Sequence, residues 1–287
     1  MPELPEVQTI VSDLNKKLKG HMIKKIWTDW PKSFDPSVIA VKNSVLEKKI
    51  IGVRRRAKNI LIDFVGNVTM LVHLKMTGHL LYRNRDWKKK AIKDNPFNDP
   101  FNQFVRTIFY LDKNMELAFS DLRRFGEIKI FKTSEEDSIP RLQKLGPEPL
   151  GRSFTYTKLQ KSLQNKNGLL KSVLLNQEVI SGIGNIYADE ILWDAKLNPK
   201  KKANTLTSKQ KEHLYASIKK ILKKAVEYRG TSISDYRDAL GNEGNYQKIR
   251  KAYKRVGENC FRCKTILRGT KVNNRGTTYC PSCQKNV

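Results

Sequence analysis

The residues with the clearest chemistry are four cysteines near the carboxyl end of the sequence, Cys260, Cys263, Cys280 and Cys283. Their spacing is C-x2-C-x16-C-x2-C, so each pair can place two thiolates on one metal ion while the intervening arm folds back as a hairpin. Disulfide pairing is the alternative, but two matched CxxC units favour a tetrahedral Zn2+ site. Because four thiolates leave no open coordination position, we predict one structural zinc rather than a catalytic one.

The residues around these cysteines are strongly basic. From 241 to 287, eleven Lys or Arg stand against two acidic residues, a net charge of +9 that a zinc–tetrathiolate centre lowers to +7. The arm KTILRGTKVNNRGTTY carries Arg268, Lys271 and Arg275 near its expected tip. Arg275, between an asparagine and a glycine, is a candidate for insertion into a nucleic-acid groove, with a solvated surface arginine as the alternative.

A second candidate for phosphate binding is the segment VISGIGNIYADEILW. Gly182 and Gly184 permit a tight turn around Ile183, and Asn185 is predicted to cap the helix that follows. Exposed N–H groups at a helix start bind phosphate without reading sequence. The alternative is a simple turn between two helices.

The first residues, MPELPEV, place Pro2 ahead of Glu3 and Glu6. Their types alone predict the start of a helix, because proline suits the first helical position and glutamates suit the positive end of the helix dipole. We therefore expect a helix from Pro5 to Leu18, ending near Gly20. The apolar residues at helical spacing are Val7, Ile10, Val11, Leu14 and Leu18.

The whole sequence is basic. Among 287 residues, 56 Lys and Arg stand against 28 acidic residues, giving +28 and a pI near 10. This excess favours nucleic acid over an anionic membrane as partner, although a low-GC genome can also raise the lysine content. The sequence has no apolar run of 18 residues and no signal-peptide pattern, so we expect a cytoplasmic protein.

The residue composition and pattern change twice along the sequence. From 23 to 131 it predicts strands, interrupted between Arg83 and Asn102 by a polar stretch expected to be a long exposed loop. From 133 to 153, prolines and glycines predict a linker. The segments with helical faces come next, and they are Tyr156–Gln164, Leu169–Asn176, Asn185–Trp193 and Ser208–Tyr228.

Taken together, these features resemble the formamidopyrimidine-DNA glycosylase (Fpg/MutM) family over essentially the whole chain. The landmarks occur in order and end with the four cysteines; they are PELPEV, RRAKNIL, HLKMTG, DLRRFG, GPEPL and GIGNIYADE. The resemblance implies an α+β multidomain fold. In this fold a leading helix and β-sandwich (1–135), a hinge (136–153) and a helix–two-turn–helix domain (154–240) precede a lesion loop and hairpin zinc finger (241–287).

The resemblance also implies excision of oxidised purines, chiefly 8-oxoguanine and formamidopyrimidines, followed by β,δ-elimination. Pro2, freed by removal of Met1, is implied as the nucleophile that forms a Schiff base with the sugar, and Glu3 as the residue that moves protons. Glu6 is expected to hold the geometry of the site, with simple helix capping as the alternative. Lys58 is implied to contact the flanking phosphate and assist catalysis, and Arg275 is grouped with these catalytic residues.

The resemblance assigns the filling of the hole left by the flipped base to Met76, Arg123 and Phe125. The first and last of these would otherwise be expected in the core. Further DNA contacts are implied for five residues, Arg106, Arg124, Lys171, Asn185 and Tyr253. The expected partner is double-stranded DNA with oxidised bases or abasic sites, bound by a monomer at the bacterial nucleoid.

The sequence departs from the usual family pattern at two places. The family's usual DPRRFG is DLRRFG here, and Arg106 stands where many members carry a histidine. The stretch TSISDYRDALGNEGNYQ, residues 231–247, is expected to be a flexible loop over the flipped base. The nearest alternative is endonuclease VIII, which removes oxidised pyrimidines, but Leu4 and DLRRFG favour the purine branch. The other is a non-catalytic zinc-finger DNA-binding protein, disfavoured because Pro2, Glu3 and Lys58 are all present.

Overall fold

The computed structural model describes residues 1–89 and 95–285, and these divide into two compact units. The first comprises 1–143 and 228–247, and the second comprises 144–227 and 248–287. The domain boundaries expected from the sequence remain a prediction. Within the described ranges, no helix is long and apolar enough to cross a membrane.

Helix α1, Leu4–Leu18, leads the first unit as the sequence predicted. Its apolar positions are buried, and the chain leaves it through Gly20, whose φ of +93° favours glycine. One side of the helix is fastened to a strand, because Asn15 Oδ1 accepts a hydrogen bond from the backbone N of Val53 at 2.9 Å.

Two antiparallel sheets form the β-sandwich of this unit. The four-stranded sheet has the order β1-β7-β8-β6, and its strands are β1 (Ile23–Thr28), β6 (Gly78–Asn84), β7 (Val105–Leu111) and β8 (Met115–Asp121). The five-stranded sheet has the order β2-β9-β5-β4-β3, with only the β2–β9 pair parallel. Its strands are β2 (Phe34–Asp35), β3 (Ile50–Arg56), β4 (Asn59–Phe64), β5 (Val68–His73) and β9 (Glu127–Lys132).

One apolar cluster joins both sheets to α1. It contains Val7 and Leu14 from the helix, Ile62 from the five-stranded sheet and Phe119 from the four-stranded sheet. The short helices α2 (Val38–Val45) and α3 (Pro140–Gln143) complete the unit. The sandwich with a leading helix is therefore confirmed.

The polar stretch before β7 differs from the expected exposed loop. Asn102 is completely buried, Trp87 is 8% exposed, and two 3-10 turns cover Pro96–Asn98 and Pro100–Gln103. Residues 90–94 of this stretch lie outside the described residues. The stretch is thus exposed only in part. Asn102 is buried and bonds to other parts of the unit, whereas Pro96, Asn98, Pro100 and Gln103 are exposed.

The second unit contains the helices expected after the linker. They are α4 (Tyr156–Leu163), α5 (Leu170–Leu175), α6 (Asn185–Asp194) and α7 (Ser208–Glu227). A hairpin of β10 (Arg268–Val272) and β11 (Arg275–Tyr279) follows, with a turn at Asn273 and Asn274. The folded-back arm between the cysteine pairs is therefore confirmed.

Candidate active site and nucleic-acid interface

The amino end of α1 is held by a reciprocal capping arrangement. Glu6 Oε2 accepts a hydrogen bond from the backbone N of Glu3 at 2.8 Å, while the Glu3 side chain caps the helix start. Glu6 Oε1 accepts a second bond, from the backbone N of Thr231 at 2.7 Å. Both carboxylates are buried, with exposures of 3% for Glu3 and 1% for Glu6. Glu6 therefore caps the helix and also fixes the start of the 231–247 segment.

Lys58 lies in the turn of the β3–β4 hairpin rather than within a strand, and it is 7% exposed. The hairpin is tied to α1 at Val53 and again where Arg55 Nε donates to Gln8 Oε1 at 2.8 Å. Val53 contacts the carboxyl half of α1 and Arg55 contacts its amino half, so β3 runs toward the amino end of the helix. The turn that carries Lys58 therefore lies toward the amino end of α1, which Glu3 caps.

A single carboxylate organises the loop between β8 and β9. Asp121 is completely buried and accepts hydrogen bonds from the backbone N atoms of Arg123 at 3.2 Å, Phe125 at 2.8 Å and Gly126 at 2.8 Å. Thr77 Oγ1 donates to the same carboxylate. Because these bonds fix the loop, its shape does not depend on the proline that Leu122 replaces.

The loop presents the three residues expected to fill a base-sized hole, and the structure brings them together. Arg123 Nη1 lies 3.0 Å from Met76 Sδ, and its guanidinium carbon lies 4.6 Å from the centre of the Phe125 ring. Met76 is 43% exposed and Phe125 is 48% exposed. These exposures exclude the alternative that the two residues belong to the core. Beside them is an open cavity of about 600 Å³ that Met1, Trp30 and Arg124 also line.

The two other arginines of this face share one acidic partner. Arg124 Nη2 lies 2.9 Å and Arg106 Nη1 lies 3.1 Å from Asp29 Oδ2. Arg106 lies within β7, as its second residue, and not before the strand. Its Nε also donates a hydrogen bond to the Asp121 carbonyl at 3.3 Å. Asp29 thus holds both guanidinium groups at the surface, although the sequence did not single it out.

Lys171, which was expected to contact a phosphate, is buried beside the hairpin. Its side chain is completely buried, and its Nζ lies 2.6 Å from Asp189 Oδ1 and donates to the Gly276 carbonyl and to Thr277 Oγ1, both at 2.9 Å. Burial raises the pKa of Asp189 to about 6, an effect that the neighbouring ammonium partly offsets. Lys171 therefore supports the hairpin strand that begins at Arg275.

Asn185 also contacts this strand rather than capping α6. Gly184 occupies the cap position, Asn185 is the first helical residue, and its Nδ2 donates to the Gly276 carbonyl at 3.1 Å. The helix begins at Asn185 as expected, but the expectation that Asn185 caps it is wrong because Gly184 occupies that position.

Tyr253 lies on a backbone segment that one buried acid fixes. Glu190 accepts hydrogen bonds from the backbone N atoms of Lys251 at 2.8 Å, Ala252 at 2.7 Å and Tyr253 at 2.9 Å. Sequence reasoning missed both Asp189 and Glu190. Their position in the IYADE run, next to the candidate phosphate site, was the available signal.

The four cysteine sulfurs lie within 4.8 Å of one another. The Cys263–Cys280 and Cys263–Cys283 Sγ distances are 3.4 and 3.3 Å, and Trp193 Nε1 donates a hydrogen bond to Cys260 Sγ at 3.3 Å. Four convergent thiolates with an indole donor fit a closed tetrahedral centre. The cluster is a structural zinc site that joins the two ends of the hairpin arm.

Three family models match this chain. Residues 1–128 match the formamidopyrimidine-DNA glycosylase N-terminal domain, residues 145–237 match the H2TH domain of the same enzymes, and residues 257–286 match the zinc finger found in FPG and IleRS. Curated relatives match end to end. The formamidopyrimidine-DNA glycosylases of Pelotomaculum thermopropionicum and Carboxydothermus hydrogenoformans are 38% and 40% identical over 99% of this chain, covering 99% and 100% of their own lengths.

Solved structures agree with these matches. A variant of Lactococcus lactis FPG in complex with DNA containing Fapy-dG has a TM-score of 0.88 at 30% identity, covering 99% of this chain and all of that one. The L. lactis protein with DNA containing an abasic site, and the wild-type protein with DNA containing an oxidised pyrimidine, each give 0.87 at 30% identity. Both matches cover 99% of this chain, and they cover 99% of the abasic-site structure's chain and 100% of the oxidised-pyrimidine structure's chain.

Proposed function

The chain belongs to the formamidopyrimidine-DNA glycosylase family, and from this premise we propose that it is a bifunctional DNA glycosylase and abasic-site lyase of base-excision repair. The proposed substrates are oxidised purines in duplex DNA, chiefly 8-oxoguanine and formamidopyrimidines, and the proposed place of action is the bacterial cytoplasm. The observation that carries the proposal is the conjunction at one face of the first unit. There Met1, Met76 and Phe125 line one open cavity. Arg123 contacts both Met76 and Phe125, and the buried acids Glu3 and Glu6 follow Met1 closely along the chain.

The proposed nucleophile is the ring nitrogen of Pro2 after removal of Met1, a residue that lines the cavity. An α-amino group with a pKa near 7.7 to 8.0 is neutral in about a tenth of molecules at pH 7, whereas a lysine near 10.4 is neutral in about one of 2,500. This ratio of a few hundred corresponds to roughly 3 kcal/mol before any effect of the site. A secondary amine also yields an iminium that is cationic by construction, which favours elimination.

The remaining groups are assigned to proton transfer. As the bond from the neutral Pro2 nitrogen to C1′ forms, the glycosidic bond breaks. The base leaves with its electron pair and takes up the proton that the Pro2 nitrogen gives up. Glu3 then protonates the sugar ring oxygen as the ring opens to the iminium. Lys58 is proposed to take part in the elimination that releases the 3′ phosphate, and Arg275 in the elimination that releases the 5′ phosphate.

The exposed cluster of Met76, Arg123 and Phe125 supports recognition of a base outside the stack. An enzyme that acts on a base must extrude it and fill the space it leaves. A thioether and a ring can wedge between neighbouring bases, and a guanidinium can donate hydrogen bonds to the unpaired cytosine. The contacts of Arg123 with the other two side chains make the cluster one unit that could enter the duplex together.

The proposal is tested with a duplex that contains an abasic site. Borohydride should trap wild-type protein as a covalent adduct, and the adduct should disappear in Pro2→Gly or when Met1 is retained, as verified by intact mass. No adduct, or an adduct unaffected by Pro2→Gly, would support a DNA-binding protein without catalysis. Faster cleavage of a thymine glycol:A duplex than of an 8-oxoguanine:C duplex would instead favour the endonuclease VIII alternative.

A further inference from the structure

The 231–247 segment is packed within the first unit rather than free. Tyr236 is 6% exposed and Ala239 is completely buried, and both belong to the apolar cluster that contains Val7 and Leu14 of α1. The Ala239 carbonyl accepts a hydrogen bond from the backbone N of Tyr82 in β6 at 2.8 Å. The middle part of the segment that was expected to be a flexible loop is therefore packed against α1 and β6. The second half of the stretch before β7 also contacts it.

We propose that residues 95–103, here called the brace, position the 231–247 segment for base excision through Arg237 and Asn102. This inference rests on the proposed function, because the segment matters for catalysis only if it covers an extruded base. Arg237 and Asn102 touch no substrate in this account, so both are positioning residues. Neither stands in any of the motifs that identify the family.

The guanidinium of Arg237 is buried at the junction, with 4% of its side chain exposed. From the brace, Asp99 Oδ2 lies 2.9 Å from Nε and 2.8 Å from Nη2, and the Phe101 ring centre lies 5.0 Å from the guanidinium carbon. From the segment itself, Nη1 donates to the Ser234 and Tyr236 carbonyls at 3.2 and 2.8 Å. Each of the three guanidinium nitrogens is thus engaged, which fixes the direction of the chain on both sides of Arg237.

Asn102 provides the second connection. Its completely buried amide donates to the Pro96 carbonyl at 2.7 Å and to the Gly241 carbonyl at 3.1 Å. On its other side, Asn102 Oδ1 lies 2.9 Å from His79 Nε2, and burial lowers the pKa of His79 to about 4, so the ring is neutral at pH 7. Gly241 has a φ of +86°, and a side chain there would begin 2.9 Å from Asn102 Nδ2. The close approach requires glycine.

These connections divide the segment into a fixed part and a more exposed part. Residues 236–242 are anchored to the brace and to β6. Within them Asp238, which is 1% exposed, accepts hydrogen bonds from the backbone N atoms of Leu240 and Asn242. Residues 233–235 are more exposed and lie between this anchored part and Thr231, which Glu6 holds. A three-residue tip between two fixed ends has few conformations, so the brace reduces the entropy lost when the tip closes over a base.

The test compares Asp99→Asn and Arg237→Met with Asp63→Asn as the matched control. Asp63 makes a similar two-point ion pair, with Arg54 at 2.7 and 3.1 Å in the same unit, and contacts no residue of the segment. In Asp99→Asn the side-chain oxygen can still accept the hydrogen bond from the backbone N of Phe101, which shapes the brace. This variant therefore removes the negative charge of Asp99 and keeps the turn at the start of the brace. If Arg237→Met fails to fold, Asp99→Asn still decides the question.

Two measurements are made on each variant. Amide hydrogen exchange of residues 231–242 should accelerate about tenfold or more in the brace variants, because they remove a charged hydrogen bond between the brace and this segment. It should stay unchanged in Asp63→Asn, which removes a similar bond to Arg54. Single-turnover excision of 8-oxoguanine should slow about tenfold or more, while strand cleavage at a preformed abasic site should change less than about twofold. Abasic DNA has no base to cover, so it does not need the segment.

Equal losses on both DNA substrates, or no loss on either, would overturn the proposal, because a general structural role moves both rates. The double variant Asp99→Asn/Arg237→Met should excise no more slowly than Arg237→Met alone, and a further additive loss would contradict a shared contact. If the wild-type protein excises no base at all, the proposed function fails. The exchange measurement then still decides whether the brace holds the segment.

Discussion

The buried pair of Lys171 and Asp189 gives the sharpest test of how the hairpin is positioned. The resemblance implied a phosphate contact for Lys171, but its ammonium is buried against Asp189, the Gly276 carbonyl and Thr277. Lys171→Met leaves the Asp189 carboxyl buried without its cation. Breaking a buried pair in this way costs roughly 3 to 5 kcal/mol of unfolding free energy, part of which protonation of Asp189 relieves.

We therefore expect a lower thermal midpoint for Lys171→Met and a recovered midpoint for Lys171→Met/Asp189→Asn, which removes both charges. Duplex affinity should stay weakened in the double variant, because the Gly276 carbonyl, next to Arg275, then keeps only its bond from Asn185 and loses the one from the Lys171 ammonium. The slope of log Kobs against log salt should not change in either variant. A lost phosphate contact would make it shallower by about 0.9, and Arg275→Gln is the control expected to show that change.

Fluorescence anisotropy with an undamaged duplex across a salt series, together with thermal unfolding, measures both quantities. If Lys171→Met makes the slope shallower by about 0.9 and leaves the thermal midpoint unchanged, the ammonium reaches a phosphate. The account of Lys171 as a support for the hairpin is then wrong.

Two further predictions concern the metal and the pH. Zinc removal by a chelator, or Cys280→Ser, should weaken duplex binding by more than it lowers the stability of the first unit. Fluorescence anisotropy measures the binding and urea unfolding measures the stability. Unchanged affinity would contradict the role of the finger. Burial lowers the pKa of His79 to about 4 and that of His73 to about 3, so the stability that neutral histidine provides is complete above about 6.5 and is lost as the pH falls through these values. For His79 the loss of unfolding free energy should reach about 2 to 3 kcal/mol at pH 4.5. In His79→Asn this part of the decrease in stability at acidic pH should be absent.

The sequence predicted those features that depend on local pattern. The period of the apolar residues located α1, and segments rich in branched and aromatic residues located the strands, whereas the sandwich was implied by the family resemblance. The spacing of the cysteines predicted both the hairpin and the metal site. In each case the signal lies within one element or between elements joined by a short arm. Boundaries differ by one or two residues, as at Leu4 and Leu170, because the ends of helices depend on capping geometry.

What the sequence did not predict depends on partners that are far apart along the chain. Arg237 meets Asp99 across 138 positions, and Lys171 meets Thr277 across 106. A lysine or arginine in a chain with a net charge of +28 is expected at the surface by default, so burial of these two gives no pattern to detect. Arg83 illustrates the same difficulty, since it pairs with Glu116 at 2.7 Å with both side chains buried.

Three buried acids show how so basic a chain fixes its functional loops. Asp121 accepts three backbone N–H groups of the loop that carries Arg123 and Phe125, and Glu190 accepts three from the segment that carries Tyr253. Glu6 joins the backbone of Glu3 to that of Thr231. Irregular backbone has no ladder or helix to pair its N–H groups, and a carboxylate can accept several of them with charge-assisted strength.

An amide replacement at any of these acids keeps one good acceptor oxygen and turns the other into a donor that faces backbone N–H groups. Asp121→Asn would therefore set an amide against an N–H donor, whereas loss of a surface acid would cost little. At Asp121, Glu190 and Glu6 the acid is therefore used to pair with backbone N–H groups, whereas Asp29, Asp99 and Glu116 pair with basic side chains.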